Sequence, residues 1–361
     1  MSSQIFSLVT DTQIFFTQRT GGASVYWFEL LKRMLQDSDI DVHLLMADAV
    51  YDNLQLSSLD LSNATVHKEK ARNNLEMRLL APRIPDNLQL PILFHSSYMR
   101  MPKDVCDAKV VTVHDFTHQI FFPKKKAIPN SLLKRRAIDK ADGILSISKS
   151  TQEDLFRLFP QAYAKQNEVI YNGASDSYFI DANAVARKPI MEACSSPYVL
   201  YIGAREGYKN FAMVEKVMEQ LPAVRLIVVG GESDFSCSLD ESRVDCFSRL
   251  MNDDLNYLYN NALCLFYPSL YEGFGIPVVE ATKAGCPVIA CNTSSIPEVA
   301  SETTILLSPD DVDGAVSAIN WLISNPTSNE TKVRAAKQAR RFSWDNCYRE
   351  VKAFYKRLLF G

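Results

Sequence analysis

Short apolar runs of strand length alternate with longer segments whose apolar residues recur at helical spacing over most of the 361 residues. That rhythm predicts parallel sheets flanked by helices, an α/β fold. IFSLV (5–9) reads as a first strand and leads through a loop to Gly21-Gly22. The segment that follows sets Trp27, Leu30, Leu31, Met34 and Leu35 on one helical face. DVHLLM (41–46), KVVTVHD (109–115), GILSIS (143–148) and EVIYNG (168–173) predict further strands, the later three closing on polar or glycine residues. Ser150 with Glu153 offers a capping box for the helix after GILSIS, and Pro160 ends that helix.

The periodicity weakens between Tyr171 and Pro197, and YVLYIG (198–203) then begins the same alternation again. VRLIVVGG (224–231), a short strand near Val244, a helix around DDLNYLYNNA (253–262), CLFYPS (264–269) and PVIAC (287–291) complete a second Rossmann-like half. Single cores stop growing at roughly 250 residues, so two domains are expected, 1–185 and 190–342. A terminal segment, 343–361, carries Trp344, Tyr348, Val351, Tyr355 and Leu358 at helical spacing and needs a surface to cover.

Composition narrows the function. A net charge of −3 gives the whole molecule little attraction for nucleic acid or anionic lipid. The one basic concentration, Lys124-Lys125-Lys126 and then Lys134-Arg135-Arg136, reads either as a solvated face or as peripheral contact with an anionic acceptor or membrane surface. No signal peptide opens the chain and no apolar run reaches the ~20 residues of a membrane span, so a soluble cytoplasmic protein is expected. Eight cysteines without paired spacing read as reduced core residues. No Gly-x-Gly-x-x-Gly follows the first strand and no Walker loop exists, which argues against a dehydrogenase or a P-loop enzyme.

The chemistry concentrates at predicted strand ends. After CLFYPS, Glu272 lies in a loop with Gly273 and Gly275, and Pro277 suits a helix start with Gly285 as its cap, which puts Glu280 in the first turn. Glycines allow close approach of backbone to ligand, and a helix N-terminus presents amides to an anion. The plainer alternative leaves Glu280 complementing the helix dipole and Glu272 as a solvated loop acid. After YVLYIG, Arg205 and Lys209 stand four apart ahead of a helix, suited to phosphate oxygens or simply solvated. His114-Asp115 closes another strand, and its spacing to His118 lacks the helical setting of a zinc pair. The acidic strings DSDID (37–41) and DDVD (310–313) join or open helices and are not expected to bind metal.

EGFGIPVVEA (272–281), with GCPVIA (285–290) and SSIPEV (294–299), resembles the donor-site signature of the glycogen-synthase-like and mannosyltransferase-like retaining GT-B glycosyltransferases. GAREGYKN (203–210) resembles the same family's Gly-Arg…Lys-Asn motif, with Ala204 where the arginine is expected and Arg205 one place later. The resemblance implies two Rossmann-like domains facing across a cleft, the first for the acceptor and the second for the donor, with the terminal helix crossing back to the first. It implies transfer of a hexose, with retention, from a nucleotide diphosphate sugar to a hydroxyl of a glycan or glycoconjugate, GDP-mannose ahead of UDP-glucose. His114, Arg205, Lys209 and Glu272 would take catalytic roles. Gly21, Gly22, Gly203, Gly273, Phe274, Gly275, Ile276 and Glu280 would hold the nucleotide sugar, and Ser148 and Asn172-Gly173 match the pattern at strand ends. No metal, other cofactor or nucleic acid is implied, since cations and amides meet the leaving phosphate. The alternatives are a sugar-nucleotide epimerase or hydrolase of the same fold, and a catalytically idle sugar-nucleotide-binding module.

Overall fold

The computed structural model describes residues 5–47, 51–70, 74–205, 207–231, 237–248 and 250–361. The chain divides into two compact units, residues 1–173 with 344–361, and residues 174–343. In the first, β1 (Phe6–Asp11), β2 (Ile40–Ala47), β3 (Ala64–Glu69), β4 (Ile92–Ser96), β5 (Ala108–Val113), β6 (Gly143–Ser146) and β7 (Gln166–Val169) form one parallel sheet in the order β3-β2-β1-β4-β5-β6-β7. Its inner strands β1 and β6 are buried at every residue, which is what a parallel sheet covered on both faces requires of its sequence.

The second unit repeats the plan with β8 (Tyr198–Ile202), β9 (Arg225–Val229), β10 (Val244–Phe247), β11 (Cys264–Tyr267), β12 (Val288–Cys291) and β13 (Thr304–Leu307), in the order β10-β9-β8-β11-β12-β13 and again parallel. Strand order reverses at β1/β4 in one sheet and at β8/β11 in the other. Such reversals open a crevice beyond the carboxyl ends of the strands, where doubly wound folds bind ligands.

Two expectations need correction here. The boundary between units falls at 173/174 rather than between 185 and 190. The reason is polar: the segment after Ala174 is stitched to the helix Asn252–Asn261, with Phe179 N–H on Asn256 Oδ1, Asp181 N–H on Asn260 Oδ1 and Arg187 Nε on Asp254 Oδ2 at 2.6 Å. The helix after β6 runs Lys149–Leu158 and is capped by Ser148, which accepts the Thr151 N–H, rather than by Ser150.

The terminal helix Trp344–Phe360 is part of the first unit. Trp344, Cys347, Val351, Phe354 and Tyr355 enter the same core as Phe6, Trp27, Leu30 and Leu93. Lys352 meets Asp37 and Asp39, Lys356 meets Asp39, and the Tyr348 hydroxyl donates to Asp37, so the acidic string 37–41 serves largely to hold this helix.

Candidate functional site

The loops leaving β8 and β11, at the reversal point of the second sheet, are tied to each other by the Leu270 N–H, which donates to the Tyr208 carbonyl at 2.8 Å. That bond brings Lys209 to Glu272, with Nζ 2.6 Å from Oε1. The two side chains are only 15% and 12% exposed, so the pair is shielded far more than a surface salt bridge. The Tyr267 hydroxyl also hydrogen-bonds to Glu272, and the ammonium lies over the rings of Tyr208 and Tyr267. Glu272 is fixed through its backbone too: its N–H donates to Ser294 Oγ at 2.8 Å, and its carbonyl accepts from Ser295 Oγ at 2.9 Å. These two serines are the start of the SSIPEV segment.

The helix that follows is Ile276–Lys283, one residue earlier than Pro277 suggested, because Gly275 takes the N-cap in the left-handed region at φ 95°. Only glycine is comfortable there, and a Cβ would also fall 2.8 Å from Ile296 Cδ1. Gly273, Phe274, Gly275 and Ile276 thus form the approach to a helix N-terminus beside the Lys209–Glu272 pair. Glu280 becomes the fifth helical residue and not a first-turn acid. It accepts a hydrogen bond from the Tyr259 hydroxyl at 3.0 Å. Part of its surface reaches solvent, yet burial of the carboxyl dominates, pushing its pKa up to about 7 against the downward pulls of Tyr259 and of the Lys283 charge. The helix closes on Gly285, whose N–H meets the Thr282 carbonyl while Cys286 N–H meets that of Ala281, the paired bonds of a Schellman turn.

Arg205 is not brought to the Lys209–Glu272 pair. Its guanidinium packs across the turn after β9, so close that a Cβ on Gly231 would lie 3.0 Å from Nη1, and it reaches toward Cys246 and the Phe211 ring. β8 ends at Ile202, and Gly203 and Ala204 stand between it and the arginine. Gly203 itself is anchored to β9 by its N–H on the Val229 carbonyl.

In the first unit, Gly21 is the N-cap of the helix Gly22–Met34. Near that helix start, a cavity of about 100 Å³ is lined by Gln18, Thr112, His114, Asp115, Asn130 and Lys134, among others. His114 presents its ring edge-on to Tyr26 at 5.0 Å, and its Nε2 is buried without a hydrogen-bond partner among the described residues. Burial, aided by the Lys134 charge and opposed by Asp115, pushes its pKa down to about 4, so the imidazole is neutral near pH 7.

The basic concentration is therefore split. Lys124, Lys125, Arg135 and Arg136 are exposed on the helix Lys124–Lys140, whereas Lys134 is buried against the cavity. Ser148 serves as a helix cap, and Asn172 is buried at the end of its segment. Among the described residues, no three His, Cys, Asp or Glu side chains come together as a metal would need, and no helix is long and apolar enough to cross a membrane. The sequence reading missed Tyr267, Tyr259, Ser294 and Lys134, all of which touch or line these sites.

Two Rossmann-like units of this topology define the GT-B class of fold, and solved structures agree. The sucrose-phosphate synthase of Thermosynechococcus elongatus superposes with a TM-score of 0.75 over 98% of this chain and 99% of that one, at 18% identity. HepE of Anabaena, solved in complex with UDP-glucose, follows with a TM-score of 0.72 over 97% and 99%, at 16% identity. Residues 186–342, most of the second unit, match the family described as glycosyl transferases group 1. Among curated relatives, the O-antigen chain mannosyltransferase B of Escherichia coli is 29% identical over 286 residues, 74% of each chain.

Proposed function

We propose that the chain is a retaining hexosyltransferase that moves mannose from GDP-mannose, with glucose from UDP-glucose as the next choice of donor, to a hydroxyl of a glycan or glycoconjugate. The observation that carries this reading is the shielded Lys209–Glu272 pair held between the ends of β8 and β11, beside a glycine-capped helix N-terminus. The mannosyltransferase relative supports mannose, and the neighbour solved with UDP-glucose supports a nucleotide sugar.

In this reading the incoming diphosphate competes with Glu272 for the Lys209 ammonium. Lys209 then turns its charge to the phosphates together with the Gly273–Ile276 amides, and the released Glu272 carboxylate accepts from sugar hydroxyls. The bond from the anomeric carbon to the phosphate oxygen breaks, and the acceptor oxygen bonds that carbon on the same face. The acceptor proton passes to the leaving phosphate. Charge grows on the phosphates only as the bond breaks, which is where a preorganised cation acts most strongly. In this reading Lys209 and the Gly273–Ile276 amides supply this stabilisation without a metal.

Glu280 makes the reading testable through pH. Ribose hydroxyls donate more strongly to its ionised form than to the neutral acid, so donor affinity weakens as pH falls through about 7. The diphosphate of a nucleotide sugar carries no proton in that range. The ligand-free protein shows the opposite sign: a carboxyl raised from 4.5 contributes stability that is full below 4.5 and lost as pH rises through about 7. Calorimetric titration of GDP-mannose across this range should show the pH-dependent affinity in the native protein and a weaker, flat affinity in Glu280→Gln. A Glu280→Gln variant that binds as tightly as the native chain at every pH would remove Glu280 from the nucleotide site.

A further inference from the structure

We propose that Lys134 is a positioning residue in the first unit, holding the segment that follows β5 so that His114 stands over the cavity. The proposal rests on the transferase reading above.

The geometry is specific to a buried ammonium. Lys134 Nζ donates to the Asp115 carbonyl at 2.5 Å and to Gln119 Oε1 at 3.3 Å, and it lies 4.2 Å from the centre of the Phe116 ring. Three residues of the 115–119 segment, which leads into the helix Thr117–Phe121, thus converge on one charge. The loop is tied back to the same helix a second time, since Gln119 Nε2 donates to Asn130 Oδ1 at 2.9 Å and to Ser131 Oγ at 3.1 Å. Asn130 in turn donates to the Tyr98 hydroxyl. Lys134 lines the same cavity as His114, whose Nε2 has no partner of its own among the described residues.

A cation next to a buried imidazole disfavours a second positive charge, so Lys134 anchors the backbone beyond His114 and adds to the burial that already lowers the ring's pKa. A neutral ring can donate or accept a hydrogen bond from a sugar, whereas an imidazolium can only donate. An apolar side chain in its place would leave the Asp115 carbonyl without this donor. Burying a lone ammonium this deeply costs stability, offset by the charges of Asp115 and Asp154, and pulls its pKa down to about 8. The titratable and charged groups facing Lys134 and His114 are Asp115, His118 and Tyr98 around the cavity, Tyr26 and His95 beside the imidazole, and Asp154 from the helix after β6.

Two readouts on the full chain test this. The first follows histidine ring resonances of 15N-labelled protein as pH falls, with no substrate. In Lys134→Met, the His114 transition should move up by about one pH unit as the like charge disappears, whereas in Lys134→Arg it should stay near the native position. The second measures nucleotide release from GDP-mannose, with water as acceptor, against pH. The native profile should decline above pH about 8, where Lys134 loses its proton, and that decline should be absent in Lys134→Arg, which remains charged. Lys134→Met should lose about tenfold or more at all pH values. An unmoved His114 transition in Lys134→Met, or an alkaline decline that persists in Lys134→Arg, would overturn the proposal. A native chain that releases no nucleotide would instead count against the transferase reading, and the resonance experiment would still decide the role of Lys134.

Discussion

Replacing Lys209 with alanine is expected to lower donor turnover about 100-fold or more while changing donor affinity far less, because the cation meets charge that appears only in the transition state. The variant also leaves Glu272 without its 2.6 Å partner, and a bare carboxylate at the phosphate site would repel the donor. Pairing the substitution with Glu272→Gln separates the two effects: affinity should recover in the double variant and turnover should not. Arg205→Ala is expected to lose much less than Lys209→Ala, roughly tenfold or under, since its guanidinium packs over the Gly231 turn instead of beside the Lys209–Glu272 pair. Steady-state turnover and calorimetric affinity, measured on the same preparations, check both. Equal losses in affinity and turnover for Lys209→Ala would mean that the lysine only holds the ground state.

Removing residues 344–361 should unfold the first unit. Five side chains from this helix, Trp344, Cys347, Val351, Phe354 and Tyr355, are at most 4% exposed in that unit's core. Losing even two or three large buried residues, at about 2–5 kcal/mol each, consumes the 5–15 kcal/mol that stabilises a typical domain. The fit is close as well: a Cβ on Gly143 would lie 2.6 Å from both Phe354 Cε1 and Leu358 Cδ1. Tryptophan emission reports the result cleanly. Trp27 is fully buried in the first unit, Trp344 leaves with the truncation, and Trp321 is already 56% exposed in the second unit. The truncated chain should therefore lose its blue-shifted emission, and retention of a buried Trp27 signal would contradict the role assigned to the helix.

Much of this architecture is legible in the sequence because parallel strands covered on both faces must be apolar throughout. β8, β11 and β12 announce themselves in that way, and β1, β2, β5, β6 and β9 do so through apolar runs that also admit polar residues such as Ser7, Asp41 and Lys109. β3 does not: ATVHKE is an edge strand, half exposed, and its polar alternation hides it. β4 and β13 also go unread, although at five and four residues they are as long as β8 and β6. The EGFGIPVVEA motif was readable because its glycines answer local backbone demands, Gly275 above all. The direction of Arg205 was not, since it depends on contact with Gly231 from a different strand. Lys134 was hidden by its neighbours Arg135 and Arg136, which make a charge run look like surface. Helical spacing gives the better signal, for Lys134 shares a face with Ala127, Ala137 and Ile138, all buried.

The central claim is that this chain transfers a sugar from a nucleotide donor, through cations and amides, with the anomeric configuration kept. Proton NMR of a reaction containing the purified chain, GDP-mannose, a mannose-terminated glycan acceptor and excess EDTA reads all of it in one tube. The expected spectrum shows GDP appearing together with a new glycosidic anomeric signal of the same configuration as the donor, and neither forms in the Lys209→Ala sample on the same timescale. Activity that vanishes with EDTA and returns with magnesium or manganese, a product of inverted configuration, or an altered free sugar formed without any glycosidic signal would contradict it.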